Sequence, residues 1–418
     1  MQPHHSKWPH YSKWIEDWVG QLQDIDDRGG RRVLRVHDRS NDSGASMSVN
    51  GHPALNFGAN DYLNLARHPL VIKRIVEVVE QVGWGSGASP LVSGRGPIHD
   101  ELEKKLAEFE EAEGALLFPT GYAANMAAVM TLVGHGDVIF SDKLNHASLI
   151  DGCQLSGAET YRYRHSDIDH LETLLKRHRD KFKRAILVTD TLFSMDGDLA
   201  PVRELGELAS RFDCAILADE AHATGVYGKN GAGWCHESGC IDQVLVRTGT
   251  ISKSLGGLGG FLVGPDPLIQ LAIHRGRGFM FSTAMPQAIA AAASVAIDLL
   301  SSMEQERIEL RKMSVELRRI LLEQGWQVGE GDSPIIPVYI GDPNRTMQLA
   351  RSMFEQGCYV PAIRPPSVPV GKSLLRISLS VMHSREDIGK LSDCFLKLRQ
   401  GTCGVEASSP VADWTGNE

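Results

Sequence analysis

Lys253 stands in the stretch Thr248–Gly260 (TGTISKSLGGLGG), just after a short apolar run and among small residues. A lysine so placed can be desolvated, which lowers its pKa and leaves a nucleophilic amine. Such an amine forms an imine with an aldehyde. Thr250 and Ser252 add hydroxyls able to hold a phosphate. A surface lysine in a glycine-rich loop is the plainer alternative, and this stretch alone does not exclude it. In Cys214–Thr224 (CAILADEAHAT), four apolar residues run into Asp219, and His222 follows three positions on. A carboxylate at the C-terminal end of a buried strand sits where α/β sheets bind ligands. There it can pair with a pyridinium nitrogen and keep the ring protonated, so that the ring accepts electrons from a carbanion. An aspartate that merely caps the next turn is the competing reading.

Two weaker stretches complete the set. In Pro119–Asn125 (PTGYAAN) a strand ends in Thr-Gly and opens a helix, placing the amides of Gly121 and Tyr122 where an anion is favoured. In Ser141–Ser148 (SDKLNHAS) His146 lies after a strand and before a helix, placed to stack on a flat ring or bind a substrate oxygen. Each has an ordinary structural explanation by itself. Together, in this order, they supply every part of a pyridoxal-phosphate site: a helix terminus for the phosphate, a ring-stacking histidine, a ring-nitrogen carboxylate and an imine-forming lysine.

Asp219–His222 also spells Asp-Glu-Ala-His, the Mg²⁺-holding box of a class of nucleic-acid helicases. That reading needs a phosphate loop of the form G-x-x-x-x-G-K-[ST]. The only GKS is Gly371–Ser373, and the position of the loop's first glycine is Pro366, which has no amide to donate. The order of the motifs is reversed as well, so the ATPase reading is set aside.

The elements that must position these groups follow from the hydrophobic pattern. Short, uniformly apolar strands are predicted at 115–118, 138–141, 185–189, 215–218, 244–248 and 261–263, with helices at 98–111, 121–132, 148–156, 168–178 and 202–212. Strands buried on both faces argue an α/β domain with a mainly parallel sheet covered by helices. After Pro286 a long helix is expected to about 324. Strands then follow at 335–340, 359–362 and 375–380, with helices at 345–356 and 385–399, giving a smaller α+β domain. The organisation expected is an N-terminal segment, 1–55, carrying an amphipathic helix near 14–22 and packed with the small domain. A large domain over 56–285, a small domain over 286–400 and a disordered tail, 401–418, complete it.

The chain has 418 residues, too many for one simple core, and a net charge of −9 gives no reason to expect nucleic acid or an anionic membrane as partner. No apolar run approaches a membrane span, and the N-terminus lacks the apolar core of a signal peptide. The seven cysteines are scattered, and Cys235 and Cys240 lack the spacing of a zinc site, so free thiols in a reducing cytoplasm are expected.

From about Asn56 to Leu398 the sequence resembles the α-oxoamine synthases, pyridoxal-phosphate enzymes of fold type I. The resemblance rests on NDYLNLARHP (60–69), SDKLNHASLIDGC (141–153), LFSMDGDLAP (192–201), DEAHATGVYG (219–228), FSTAMP (281–286) and AIRPPSVPVGKSLLRISLS (362–380). It implies that Lys253 carries the cofactor and moves protons at the substrate α-carbon. Asp219 would bond the ring nitrogen, His222 the phenolic oxygen, and His146 would stack on the ring. Ser194 would contact the cofactor, and Gly121, Tyr122 and Thr250 would hold its phosphate. Thr283 would reach the neighbouring subunit's phosphate in a homodimer. Arg376 would clamp the amino-acid carboxylate, assisted by Asn60, since a guanidinium fork suits a planar carboxylate. Ser367 and Arg35 would lie near the acyl substrate; a solvated arginine in an Arg-rich stretch is the other reading of Arg35. The run AIRPPSVP points, within the family, to the biotin-pathway member that joins L-alanine to a pimeloyl thioester of coenzyme A or a carrier protein. Glycine with acetyl-CoA is the alternative, and a non-catalytic scaffold subunit is the alternative of another class. Asn64, where the family usually has Gly, and Ser254, where a small apolar residue is common, depart from the pattern.

Overall fold

A computed structural model describes residues 8–27, 30–39 and 45–401. The tail over 402–418, with Cys403, and the first seven residues lie outside the described residues. A seven-stranded sheet forms the centre. Its order is Gly114–Phe118, Gly260–Gly264, Val246–Thr250, Ala215–Asp219, Ala185–Asp190, Val138–Asp142 and Glu159–Tyr163. Gly260–Gly264 runs antiparallel to both of its neighbours, and the other pairs are parallel. Six strands therefore point the same way, and their C-terminal ends share one edge.

Alternation along each strand distributes side chains to helices on both faces. Leu116, Phe118, Ile186 and Val188 pack with Ala124, Ala128 and Leu149 of the helices Gly121–Leu132 and Ala147–Ser156. Leu187, Phe140 and Ile216 face the opposite way, against Leu171 and Leu205 of Ile168–His178 and Val202–Arg211. Both faces are covered, as uniformly apolar strands require.

The strand Glu159–Tyr163 escapes the hydrophobic pattern because it is an edge strand with a part-solvated sequence, ETYRY. The helix Pro69–Val82 also went unassigned in the sequence. The single helix expected after Pro286 is two, Gln287–Leu300 and Glu304–Glu323. The hydroxyls of Ser301 and Ser302 donate to the carbonyls of Asp298 and Leu299, competing with the helical ladder at the break. Gln287–Leu300 packs against Pro69–Val82 and Pro97–Phe109, so the change from large to small unit comes at this break.

The small unit holds a three-stranded sheet ordered Ile335–Gly341, Ser373–Ser378, Ala362–Ile363. The strand expected over 359–362 is split at Pro361. Cys358–Tyr359 pairs with His52–Asn56 in a second sheet, and Ala362–Ile363 pairs with Ser373–Ser378. Proline has no N–H to carry a ladder through. Through Cys358–Tyr359 the N-terminal strands His37–Asp38, Ser46–Val49 and His52–Asn56 join the small unit.

Asn64 has φ 55° and ψ 32°, the left-handed region. Glycine reaches that region freely, and asparagine is among the side chains that tolerate it, so the departure noted in the sequence keeps the backbone geometry. Replacing Asn64 by Val should lower stability by about 1–2 kcal/mol, whereas Asn64→Gly should stay close to the parent. Thermal unfolding of the two variants checks this.

Candidate active site

The shared C-terminal edge of the sheet collects the chemistry. Phe118 is opposite Gly260, Gly260 opposite Thr250, Thr248 opposite Asp219, and Asp219 opposite Asp190. Each strand end therefore delivers its next residues to one place.

At one end is an anion cradle. Thr120 caps the helix Gly121–Leu132, its side chain accepting from the amide of Ala123 at 3.1 Å. The amides of Gly121 and Tyr122 fall in the first turn, where the helix itself has no acceptors for them. A Cβ on Gly121 would come within 3.1 Å of Thr250 Cβ and 3.2 Å of its Oγ1. Gly260 lies as close behind, where a Cβ would meet Gly121 Cα at 2.5 Å. These glycines keep open the approach to two amides and a hydroxyl. Thr250 Oγ1 is linked to Ser252 Oγ at 2.7 Å and to the carbonyl of Gly259 at 2.8 Å.

Lys253 sits in the loop between the antiparallel strands Val246–Thr250 and Gly260–Gly264. The loop closes on itself: Ile251 N–H donates to the Gly259 carbonyl at 3.0 Å, and Gly256 N–H to the Lys253 carbonyl at 2.8 Å. Gly256 has φ 69°, and a Cβ there would meet Ala66 N at 2.1 Å, so the loop needs glycine at this position. Among the described residues the Lys253 amine has no hydrogen bond or ion pair. Burial lowers its pKa to about 8, although the nearby carboxylates of Asp219 and Asp190 act the other way.

Asp219 is buried, with Oδ1 accepting from the amide of Ala221 at 2.8 Å and Oδ2 from Asn125 Nδ2 at 2.6 Å. Asp190, on the adjacent strand, accepts from the amide of His146 at 2.6 Å. Burial, then the charge of Asp219, pushes its pKa well above the carboxylate range. His146 caps the helix Ala147–Ser156 through Nδ1 and is met edge-on by the ring of Tyr122, with centroids 6.4 Å apart. His222 is buried, and Nδ1 is 2.8 Å from Tyr62 Oη. Burial, then the charges of Lys253 and Arg376, hold its pKa well below the usual imidazole value.

Arg376, in the small unit's strand Ser373–Ser378, reaches across to the large one. Its Nε donates to the carbonyl of Ser194 at 2.5 Å, and Nη1 donates to Asn60 Oδ1 at 3.1 Å and Ser378 Oγ at 2.7 Å. Nη2 is buried with no partner. A buried guanidinium nitrogen without an acceptor is a standing place for an anionic oxygen. This orphan donor, the open cradle at Gly121 and the unpaired amine of Lys253 fit an anionic amino acid and a phosphate-bearing aldehyde.

Other expected residues lie at the margins. Ser367 is exposed, and its Oγ accepts from Arg32 at 3.3 Å, while Arg364 donates to the carbonyl of Arg31 at 3.0 Å. The segment containing Arg35 thus meets the loop containing Ser367. Thr283 is exposed on a loop joined to residues 88–94 through Ala284 N–H to the Ala88 carbonyl at 3.0 Å, outside this chain's own cradle. Asn125, Ser148, Asp190 and Tyr62 were missed in the sequence. Asn125 carried a signal: it is an amide within a mostly apolar helical run.

Residues 52–393 match the family model of class I and II aminotransferases, and the chain belongs to that family. Within it the chain is an α-oxoamine synthase, a pyridoxal-phosphate-dependent acyltransferase. It is 41% identical over 351 residues to the 8-amino-7-oxononanoate synthase of Symbiobacterium thermophilum, covering 84% of this chain and 89% of that one. It is 43% identical over 373 residues to the enzyme of the same name from Anaeromyxobacter dehalogenans, covering 89% and 93%. Among solved structures it is similar to Sphingomonas wittichii serine palmitoyltransferase, with a TM-score of 0.85 at 31% identity over 95% of this chain and 99% of that one. The 8-amino-7-oxononanoate synthase of Francisella tularensis superposes with a TM-score of 0.71 at 25% identity, covering 84% and 98%.

Two outcomes are expected. Borohydride reduction of the protein with pyridoxal phosphate should label Lys253, and the labelling rate should climb with pH through about 8 and then level off. A rate still climbing toward the ordinary lysine value near 10.5 would contradict the desolvated amine. Arg376→Lys should weaken amino-acid binding about tenfold or more, because an ammonium cannot replace the fork; titration of the cofactor's absorbance with amino acid reads this.

Proposed function

We propose that the protein condenses L-alanine with a pimeloyl thioester, of coenzyme A or a carrier protein, to 8-amino-7-oxononanoate, CO₂ and free thiol. The observation carrying the amino-acid half is the buried, unpartnered Nη2 of Arg376 beside the unpaired amine of Lys253. The names of the relatives at 41–43% identity support the acyl half.

Bound pyridoxal phosphate supplies an aldehyde for the amine and a ring that takes up electrons from the substrate α-carbon. The residues around it have separate tasks. Gly121 and Tyr122 offer amides, and Thr250 a hydroxyl, to the phosphate; the partner subunit's Thr283 completes that site in a homodimer. Asp219 keeps a proton on the ring nitrogen, His222 holds the phenolic oxygen, and Ser194 lies beside the cofactor. Arg376, steadied by Asn60, would grip the alanine carboxylate and so orient the α-carbon for Lys253. Lys253 Nζ removes the α-proton and later returns one. His146 would stack on the ring and help position the substrate. Ser367 and Arg35, whose segments meet at the margin, face the acyl chain. The six described cysteines are free thiols, which suits the cytoplasm, and among the described residues no helix is long and apolar enough to cross a membrane.

The test crosses alanine, glycine and serine with acetyl, succinyl, pimeloyl and palmitoyl thioesters, following thiol and CO₂, beside Lys253→Ala. Alanine with the pimeloyl thioester should be the preferred pair, and the variant should be silent. Preference for glycine with acetyl-CoA would move the protein to glycine C-acetyltransferase. Failure of every pair, with no cofactor bound, would mark a scaffold subunit.

A further inference from the structure

One run of hydrogen bonds beneath the site has a defined direction. Both oxygens of Asp219 accept, Oδ1 from the Ala221 amide and Oδ2 from Asn125 Nδ2 at 2.6 Å. That contact orients the Asn125 amide group, with its NH₂ toward the carboxylate. The carbonyl oxygen is then on the other side, where it accepts from Thr248 Oγ1 at 2.5 Å. The second N–H of Asn125 goes to Ser148 Oγ at 2.8 Å. Ser148 Oγ, already accepting, has its own proton left to give, and His146 Nδ1 lies 2.7 Å away. The amide N–H of Ser148 also donates to Nδ1, at 3.2 Å. Nδ1 is therefore a lone-pair acceptor, and the ring proton of neutral His146 must be on Nε2.

We propose that Asn125 and Ser148 are positioning residues that hold His146 as the Nε2–H tautomer, so that it meets the substrate as a hydrogen-bond donor and not as a base. Asn125 and Ser148 are buried, whereas His146 is only partly so, and Nε2 has no partner among the described residues. Burial lowers the His146 pKa, which favours the neutral ring. A neutral imidazole with one nitrogen occupied and the other protonated cannot take up the α-proton, which leaves that task to Lys253. Its N–H suits an oxygen that gains negative charge during reaction, such as a thioester carbonyl under attack. What the donor meets rests on the function proposed above. The tautomer rests only on hydrogen bonds within the chain.

The experiment is long-range ¹H–¹⁵N spectroscopy of the ¹⁵N-histidine-labelled holoprotein, with His146 identified by its loss in His146→Gln. The wild type should show an unprotonated Nδ1 and a protonated Nε2 before any acyl substrate is added. Ser148→Ala should move that signature toward mixed tautomers and lower kcat about three- to tenfold, the effect of one hydrogen bond, and Ser148→Thr should restore both. Asn125→Ala should also shift the cofactor's absorption band, because Asn125 touches Asp219 as well. A protonated Nδ1 in the wild type, or an unchanged ring signature in Ser148→Ala, overturns the proposal. The wild-type spectrum decides even if a variant fails to fold. A protein with the expected signature that refuses alanine and pimeloyl thioesters would keep the relay and lose the substrate assignment.

Discussion

Three carboxyl groups buried side by side at one sheet edge constrain everything around them. Asp142, Asp190 and Asp219 end adjacent parallel strands and are 1%, 4% and 4% exposed. A buried carboxylate is costly unless donors surround it. Asp142 takes the amides of Leu144 and Ser166 and pairs with His165 at 3.0 Å. Burial opposes charge on His165, yet Asp142 together with Asp198 raises its pKa to about 10. Asp190 takes the backbone amide of His146, and Asp219 takes the backbone amide of Ala221 and the side-chain NH₂ of Asn125. Satisfying these groups fixes the loops that follow the strands, and those loops carry His146, Ser194 and His222.

The lysine loop answers a different requirement. It turns between two antiparallel strands in a sheet otherwise parallel, so it is short and dense in glycine. The strand before it is anchored by Arg247, which pairs with Glu110 at 3.1 Å, both residues being buried. Burial raises the pKa of Glu110 to about 7, with Arg247 acting against it. Breaking such a pair strands a buried charge, so it resists displacement of the strand that leads to Lys253.

Arg376 ties the two units together. It comes from the small one, yet two of its three nitrogens are spent on Ser194, Asn60 and Ser378. The remaining nitrogen, Nη2, is therefore aimed by contacts that exist before any ligand arrives, which reduces the ordering needed on binding. The same scaffold carries serine palmitoyltransferase and 8-amino-7-oxononanoate synthase. Acyl choice therefore depends on particular side chains around the site rather than on the fold.

Much of this was legible in the sequence, because local rules are strong where strands are uniformly apolar and turns need glycine. The helix Ile168–His178 follows from its hydrophobic period, the helix Gly121–Leu132 and the central strands from their apolar runs, and Lys253, Asp219 and His222 are marked by their place after such strands. Other features are properties of neighbours distant in the chain. The edge strand Glu159–Tyr163 is defined by pairing with Val138–Asp142, since its own alternation is weak. Gln287–Leu300 belongs to the large unit because of what it packs against. The orphan nitrogen of Arg376 depends on residues 182 and 316 positions away. The direction of protons from Asp219 to His146 passes through Asn125, 94 residues from that aspartate. Residue types and local spacing determined which groups were available for chemistry. Tertiary structure alone decided which of their donors and acceptors were already engaged, because hydrogen-bond satisfaction depends on contacts between distant segments.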